Sequence, residues 1–129
     1  MDDGIAERAT LAVLAVDDRP MVLEALKMLL QFDGHEVTTA ADANEALSLF
    51  KPGRFDVVFT DFDMPGMNGH ELATILKSRE PAMPIIMVSA HADSVRGGSL
   101  PAVNRVLGKP WTLDEIREAI EMVLPAAER

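Results

Sequence analysis

Four short apolar runs, each ending at a charged or hydroxyl residue, restrict this chain to a small set of folds. LAVLAV (11–16) stops at Asp17 and Asp18, and FDVVFT (55–60) stops at Asp61. IIMVS (85–89) closes on Ser89, and RVLG (105–108) delivers Lys109 followed by Pro110. Runs this short, with no polar alternation, read as strands buried on both faces of a parallel sheet. In an open parallel sheet, ligands bind outside the carboxyl ends of the strands. Three carboxylates, a hydroxyl and an ammonium are therefore brought to one edge although they lie far apart in sequence.

Helical patterns fill the gaps between the runs. Pro20 suits the first turn of a helix, and Val22, Leu23, Leu26, Leu29 and Leu30 form its apolar stripe, which Asp33-Gly34 ends. HEVTTA (35–40) is a further strand, less apolar and so placed near a sheet edge. Asp42 is the expected N-cap of the next helix, with Glu45 positioned for a capping box and Lys51-Pro52-Gly53 as its stop. A third helix is predicted from about Asn68 to Ser78, with Leu72, Ile75 and Leu76 inward. The last runs from the cap Thr112 to Leu124 before Pro125, with Leu113, Ile116, Ile120 and Val123 inward. Five strands alternating with helices imply a doubly wound α/β sheet.

Composition narrows the function. With 129 residues, the chain is expected to be one domain, residues 1–129, with loose ends at 1–9 and 126–129. No apolar stretch approaches the roughly 20 residues that span a membrane. MDDGIAERAT is acidic and lacks the apolar centre of a signal peptide. Cysteine is absent, which excludes disulfides and thiolate metal sites and fits a cytoplasmic location. A net charge of −9 repels nucleic-acid phosphates, so neither direct nucleic-acid binding nor membrane association is expected. A divalent cation is the more natural partner.

Carboxylates gathered at strand ends repel one another, and their pKa values rise unless a cation is present. An all-oxygen donor set suits Mg²⁺, or Mn²⁺. Beside such an ion one carboxylate can attack phosphorus in line, while a lysine and a hydroxyl stabilise the phosphoryl oxygens. Any one of these residues alone is commonplace. Their joint placement at four strand ends carries the reading.

Together they resemble the receiver domain of two-component response regulators over about residues 11 to 124. Asp61-Phe62-Asp63-Met64-Pro65-Gly66-Met67-Asn68-Gly69 is similar to the phospho-acceptor loop of that family. Asp17-Asp18 is similar to its acidic pair, Ser89-Ala90 to its Thr/Ser-Ala step, and Lys109-Pro110 to its lysine with a cis proline. The resemblance implies a flavodoxin-like (βα)5 fold and Mg²⁺-dependent transfer of a phosphoryl group to Asp61 from a histidine kinase or histidine phosphotransfer protein. It implies that Asp18, Asp61 and the backbone carbonyl of Asp63 ligate the metal, with Asp17 acting through a bound water and holding Lys109. Lys109 would contact the phosphoryl oxygen, and Ser89 would move toward it after transfer. The domain would be a phospho-acceptor that assists its own phosphorylation and dephosphorylation rather than an enzyme. It would signal to a downstream protein or a covalently attached output domain.

Two segments depart from the family pattern. Many receivers carry Tyr or Phe where this chain has Val106, so the aromatic readout of phosphorylation is not expected here. HADSVRGGSLPAV (91–103) is a poor helix, because Gly97-Gly98 costs about 2 kcal/mol relative to alanine and Pro101 cannot sit in a helix interior. The expectation is an irregular or shortened fourth helix near 92–96, then a loop, with 94–103 the most mobile internal stretch. Trp111 is expected to pack near the active edge, His91 to be a solvated loop residue, and most of the methionines to fill core or motif positions. Three alternatives stay open. Val106 leaves room for a pseudo-receiver that binds partners without phosphorylation. Asp61-Phe62-Asp63 is similar to the Asp-x-Asp motif of haloacid dehalogenase-like phosphatases, although Asp17-Asp18 precedes it in the wrong order. A flavodoxin-like nucleotide or flavin binder would need a glycine-rich loop after the first strand, where an acid pair stands instead.

Overall fold

The computed structural model describes residues 10–96 and 100–124. Strands and helices alternate as β1 (Ala12–Val16), α1 (Pro20–Phe32), β2 (Glu36–Ala40), α2 (Ala43–Leu49) and β3 (Val57–Asp61). They continue as α3 (Gly69–Arg79), β4 (Ile85–Ser89), α4 (Ala92–Arg96), β5 (Arg105–Gly108) and α5 (Leu113–Val123). All strands are parallel, in the order β2-β1-β3-β4-β5. The less apolar β2 occupies an edge, as its composition implies. The chain direction across the sheet reverses between β1 and β3, and that crevice is where a ligand fits in such sheets.

The unbroken apolar character of the strands has a direct structural cause. Neighbouring residues of β1 face opposite layers, so both faces need apolar side chains. Leu14 and Val16 join Ala46 of α2 and Leu72 and Leu76 of α3 in one core. Val13 and Ala15 join Leu26 and Leu30 of α1 and Ile116 and Ile120 of α5 in the other. Phe59 on the central strand is fully buried. A side chain of that kind contributes roughly 1.5–3 kcal/mol by leaving water. Of the helix residues expected inward, Val22, Leu23, Leu29, Ile75, Leu113 and Val123 are half-buried rather than covered.

Polar side chains close the element ends. Asp42 caps α2 by accepting from the Glu45 N–H, while the Glu45 carboxylate reaches back to the Ala41 N–H, one residue beyond the expected capping box. Full capping boxes start α3 at Asn68 and Glu71, and α5 at Thr112 and Glu115. At the other pole of the sheet, His35 Nδ1 accepts from the Leu11 N–H, Asp56 from the Ala12 N–H and Asn104 from the Ile85 N–H.

Among the described residues the fourth helix is Ala92–Arg96, the span expected for it. Within the stretch 94–103, residues 97–99 lie outside the described residues, as do the ends at 1–9 and 125–129, with Pro125 among them. The methionines depart from expectation. Met64, Met83 and Met87 are buried, but Met21, Met28 and Met122 are 86%, 60% and 58% exposed. Met21 and Met28 follow a second stripe of α1, on the side away from the core. Among the described residues no helix is long and apolar enough to cross a membrane.

Candidate functional site

Register brings the acids together. Val16 of β1 lies beside Thr60 of β3, so Asp17 and Asp61, next in each chain, reach the sheet end side by side. Asp61 lies beside Val88, and Ser89 lies beside Gly108, so Lys109 follows on the far strand. The long Lys109 side chain crosses back over β4. Its Nζ donates to Asp17 Oδ2 at 3.0 Å and to Asp61 Oδ1 at 2.9 Å. Asp17 Oδ1 accepts a further bond from the Arg19 N–H at 2.9 Å.

Asp17, Asp18 and Asp61 each offer an oxygen within 4.8 Å of the others. Asp17 and Asp61 are buried, and Asp18 is half-buried. One ammonium thus pairs with two of three clustered carboxylates, which leaves negative charge in a poorly solvated crevice. Burial pushes the Asp61 carboxyl above its ordinary range, and the charges of Asp17 and Asp18 add to this. The Lys109 hydrogen bond and charge oppose it without cancelling it. Asp18 Oδ1 is buried with no hydrogen-bond partner. An orphaned carboxylate oxygen inside a set of oxygen donors is the condition a hard divalent cation satisfies. These residues therefore fit a metal ion.

The loop 61–69 is held from below. Met64 is buried, Gly66 turns the chain at φ +76°, and the Gly69 N–H donates to the Phe62 carbonyl at 2.9 Å. Gly69, the first residue of α3, presses against the Asp61 main chain. A Cβ there would stand 2.1 Å from the Asp61 carbonyl oxygen and 3.0 Å from Phe62 Cα. In the sequence Gly69 stands out only as a letter of the motif. A glycine directly after a helix N-cap, where a side chain is normally tolerated, was the available signal.

The remaining expected residues occupy varied positions. Ser89 is fully buried, and its Oγ accepts from the His91 N–H at 3.0 Å. Asp63 is exposed, and its carboxylate is not part of the three-acid cluster. Val106 is half-buried on β5, and His91 is exposed. The Lys109–Pro110 peptide is cis. Trp111 is half-buried against the α1–α5 core, in line with a packing role. It also walls a groove of about 890 Å³ that runs along α1 from Arg19 to Phe32 and opens at Lys109 and Ala90.

The chain is similar to known proteins in sequence and fold. The family model for the response regulator receiver domain matches residues 13–121. The chain is 34% identical over 116 residues to the chemotaxis protein CheY of Pseudomonas aeruginosa, covering 86% of this chain and 94% of that protein. It is 37% identical over 121 residues to the sensor histidine kinase AruS of the same organism, covering 89% of this chain but 12% of AruS. It also spans less than half the length of several other curated relatives. Among solved structures, response regulator protein TrrA of Thermotoga maritima in complex with Mg(2+)-BeF superposes with a TM-score of 0.80 at 34% identity. That match covers 88% of this chain and 98% of TrrA.

Proposed function

This chain belongs to the response regulator receiver domain family of two-component systems, and on that premise we propose that Asp61 is the residue it phosphorylates. The observation that carries the proposal is the Lys109 ammonium shared between Asp61 and Asp17, with Asp18 beside them. Asp61 is buried with one oxygen on Lys109, whose charge opposes the upward push of burial on the carboxyl and leaves the other oxygen to attack. An Asp61 oxygen forms a bond to phosphorus as the P–N bond of a donor phosphohistidine breaks, its electron pair returning to the imidazole nitrogen. Lys109 then contacts a phosphoryl oxygen, and the Ser89 hydroxyl turns toward the new group. Attack of water on the same phosphorus later restores the carboxylate and releases phosphate.

Asp18, Asp61 and the Asp63 backbone carbonyl would hold Mg²⁺, with Asp17 acting through a water. When bound, the ion neutralises charge on the phosphoryl oxygens. The residues themselves position and polarise. The phosphodonor is a histidine kinase or a histidine phosphotransfer protein, and the output passes to a downstream protein or an attached domain. We read residues 1–129 as one receiver domain acting in the cytoplasm.

Acetyl phosphate tests this without a protein donor. Intact-mass measurement is expected to show one phosphoryl adduct that requires Mg²⁺ and disappears with chelator. Val106 favours a second reading, a module that binds partners without phosphorylation. Absence of any adduct from folded, Mg²⁺-binding protein would favour that reading instead.

A further inference from the structure

We propose that Asn68 is a site of spontaneous deamidation, and that the first turn of α3 restrains the reaction until that turn opens. Of the asparagines in the chain only Asn68 precedes a glycine, whereas Asn44 and Asn104 precede Glu45 and Arg105. A glycine has no Cβ to shield its backbone nitrogen. That nitrogen can close a five-membered ring on the side-chain amide before it. The Gly69 nitrogen, having lost its proton, bonds to Asn68 Cγ. The Cγ–Nδ2 bond breaks, and ammonia departs with the proton. Water then opens the succinimide. Cleavage at Cγ gives aspartate. Cleavage at the main-chain carbonyl carbon gives isoaspartate, and the chain then runs through the former side chain.

The geometry around Asp61 imposes this pair of residues. A side chain at 69 would strike the Asp61 carbonyl and Phe62 Cα, so glycine stands there. The helix start needs a polar cap at 68, and Asn68 Oδ1 fills that role by accepting from the Glu71 N–H. Asparagine followed by glycine meets both demands and is the reactive combination.

The fold holds both reacting groups apart. The Gly69 N–H donates to the Phe62 carbonyl at 2.9 Å, which keeps its proton in place. Asn68 Oδ1 lies 2.9 Å from the Glu71 nitrogen, and the Asn68 N–H donates to Glu71 Oε1 at 2.9 Å. The Asn68 backbone is extended, and closing the ring requires the Gly69 nitrogen to turn onto the side-chain carbonyl. That turn breaks these bonds. Asn68 is half-buried and Gly69 is buried, so the amide meets water while its attacker stays inside. Reaction therefore follows local opening of the first turn of α3.

The two products diverge. Aspartate caps a helix as well as asparagine does, and its charge suits a helix N-terminus. Isoaspartate lengthens the main chain between 68 and 69, so Gly69 cannot hold the Phe62 carbonyl and the Asp61 carbonyl together. Resting on Asp61 as the acceptor, the isoaspartyl form loses phosphorylation and the aspartyl form keeps it.

Peptide mapping by mass spectrometry tests the proposal on the whole chain, aged at mildly alkaline pH folded and in urea. Amide-to-acid conversion is expected first at Asn68 in both, and at least about tenfold slower in the fold. Glu71→Ala should speed it by about fivefold, the effect of removing one capping interaction. Glu115→Ala, the same change in the capping box of α5, should leave the rate at Asn68 unchanged, which separates this turn from general destabilisation. Equal rates in fold and urea, or conversion first at Asn44 or Asn104, overturn the proposal. A rate indifferent to Glu71→Ala overturns the restraint by α3. After chromatographic separation, acetyl phosphate with Mg²⁺ should label the aspartyl form and Asn68→Asp like the wild type, but not the isoaspartyl form. An adduct on the isoaspartyl form overturns the predicted loss of phosphorylation. If fresh wild-type protein takes no adduct, the reading of Asp61 fails, while conversion at Asn68 is judged by the mapping alone.

Discussion

Lys109 is the residue on which the electrostatics of the site turn. Its ammonium lies 2.9 Å from Asp61 and 3.0 Å from Asp17, with the Asp18 carboxylate beside them. Lys109→Ala removes the group that opposes burial at Asp61, so the Asp61 pKa rises further and its carboxyl is less readily ionised. The initial rate of phosphorylation by acetyl phosphate is expected to fall by about 10²- to 10³-fold, the usual cost of removing one positioned charge-stabilising group. Gly69 acts through space instead of charge. Gly69→Ala sets a methyl group against the Asp61 carbonyl, main chain against main chain, and α3 or the end of β3 must shift. Chemical denaturation should show a loss of roughly 1–3 kcal/mol, the range for overpacking. These two residues differ in how legible they are. Lys109 stands one residue past a strand, where the pattern of apolar runs points to it. The role of Gly69 depends on how α3 docks on β3, a contact that no local pattern encodes.

At the scale of elements, the start of α3 ties helix stability to the site. Asn68 and Glu71 cap one another's N–H groups, and the next residue after Asn68 rests on Asp61. Asn68→Ala should cost about 1 kcal/mol in denaturation. It should also slow phosphorylation more than Thr112→Ala does, because Gly69, next to Asn68, presses on the Asp61 main chain, whereas Thr112 is separated from Lys109 by Pro110 and Trp111. Comparing the two variants in the same assay separates capping from positioning. Strand positions and helix starts were readable because apolar runs and capping residues are local signals. The short α4 was readable for the same reason, since two glycines and a proline oppose a longer helix whatever the context. The outer stripe of α1 was not. Its methionines look like core residues until the fold shows that Leu26 and Leu30 already fill the core side of that helix.

For the whole molecule, the sheet has a chemical pole and an anchoring pole. At the anchoring pole, His35 Nδ1 accepts the Leu11 N–H, which requires the neutral ring. Burial holds the His35 pKa below its ordinary value near 6.5, partly offset by the charge of Asp33. The unfolded chain therefore takes up this proton more readily than the fold does. Stability from His35 is complete above about pH 6.5 and is lost as pH falls through the lower folded value. Melting temperature should drop over that window, and His35→Asn, which keeps an acceptor but does not titrate, should flatten that part of the profile. At the chemical pole, the account stands on Asp61 being the acceptor. The direct test is to phosphorylate with acetyl phosphate and Mg²⁺, reduce the acyl phosphate with borohydride, and sequence the peptides by mass spectrometry. Homoserine at position 61, absent from Asp61→Asn, is the predicted result. Homoserine at position 17, 18 or 63, or an adduct that persists in Asp61→Asn, would contradict it.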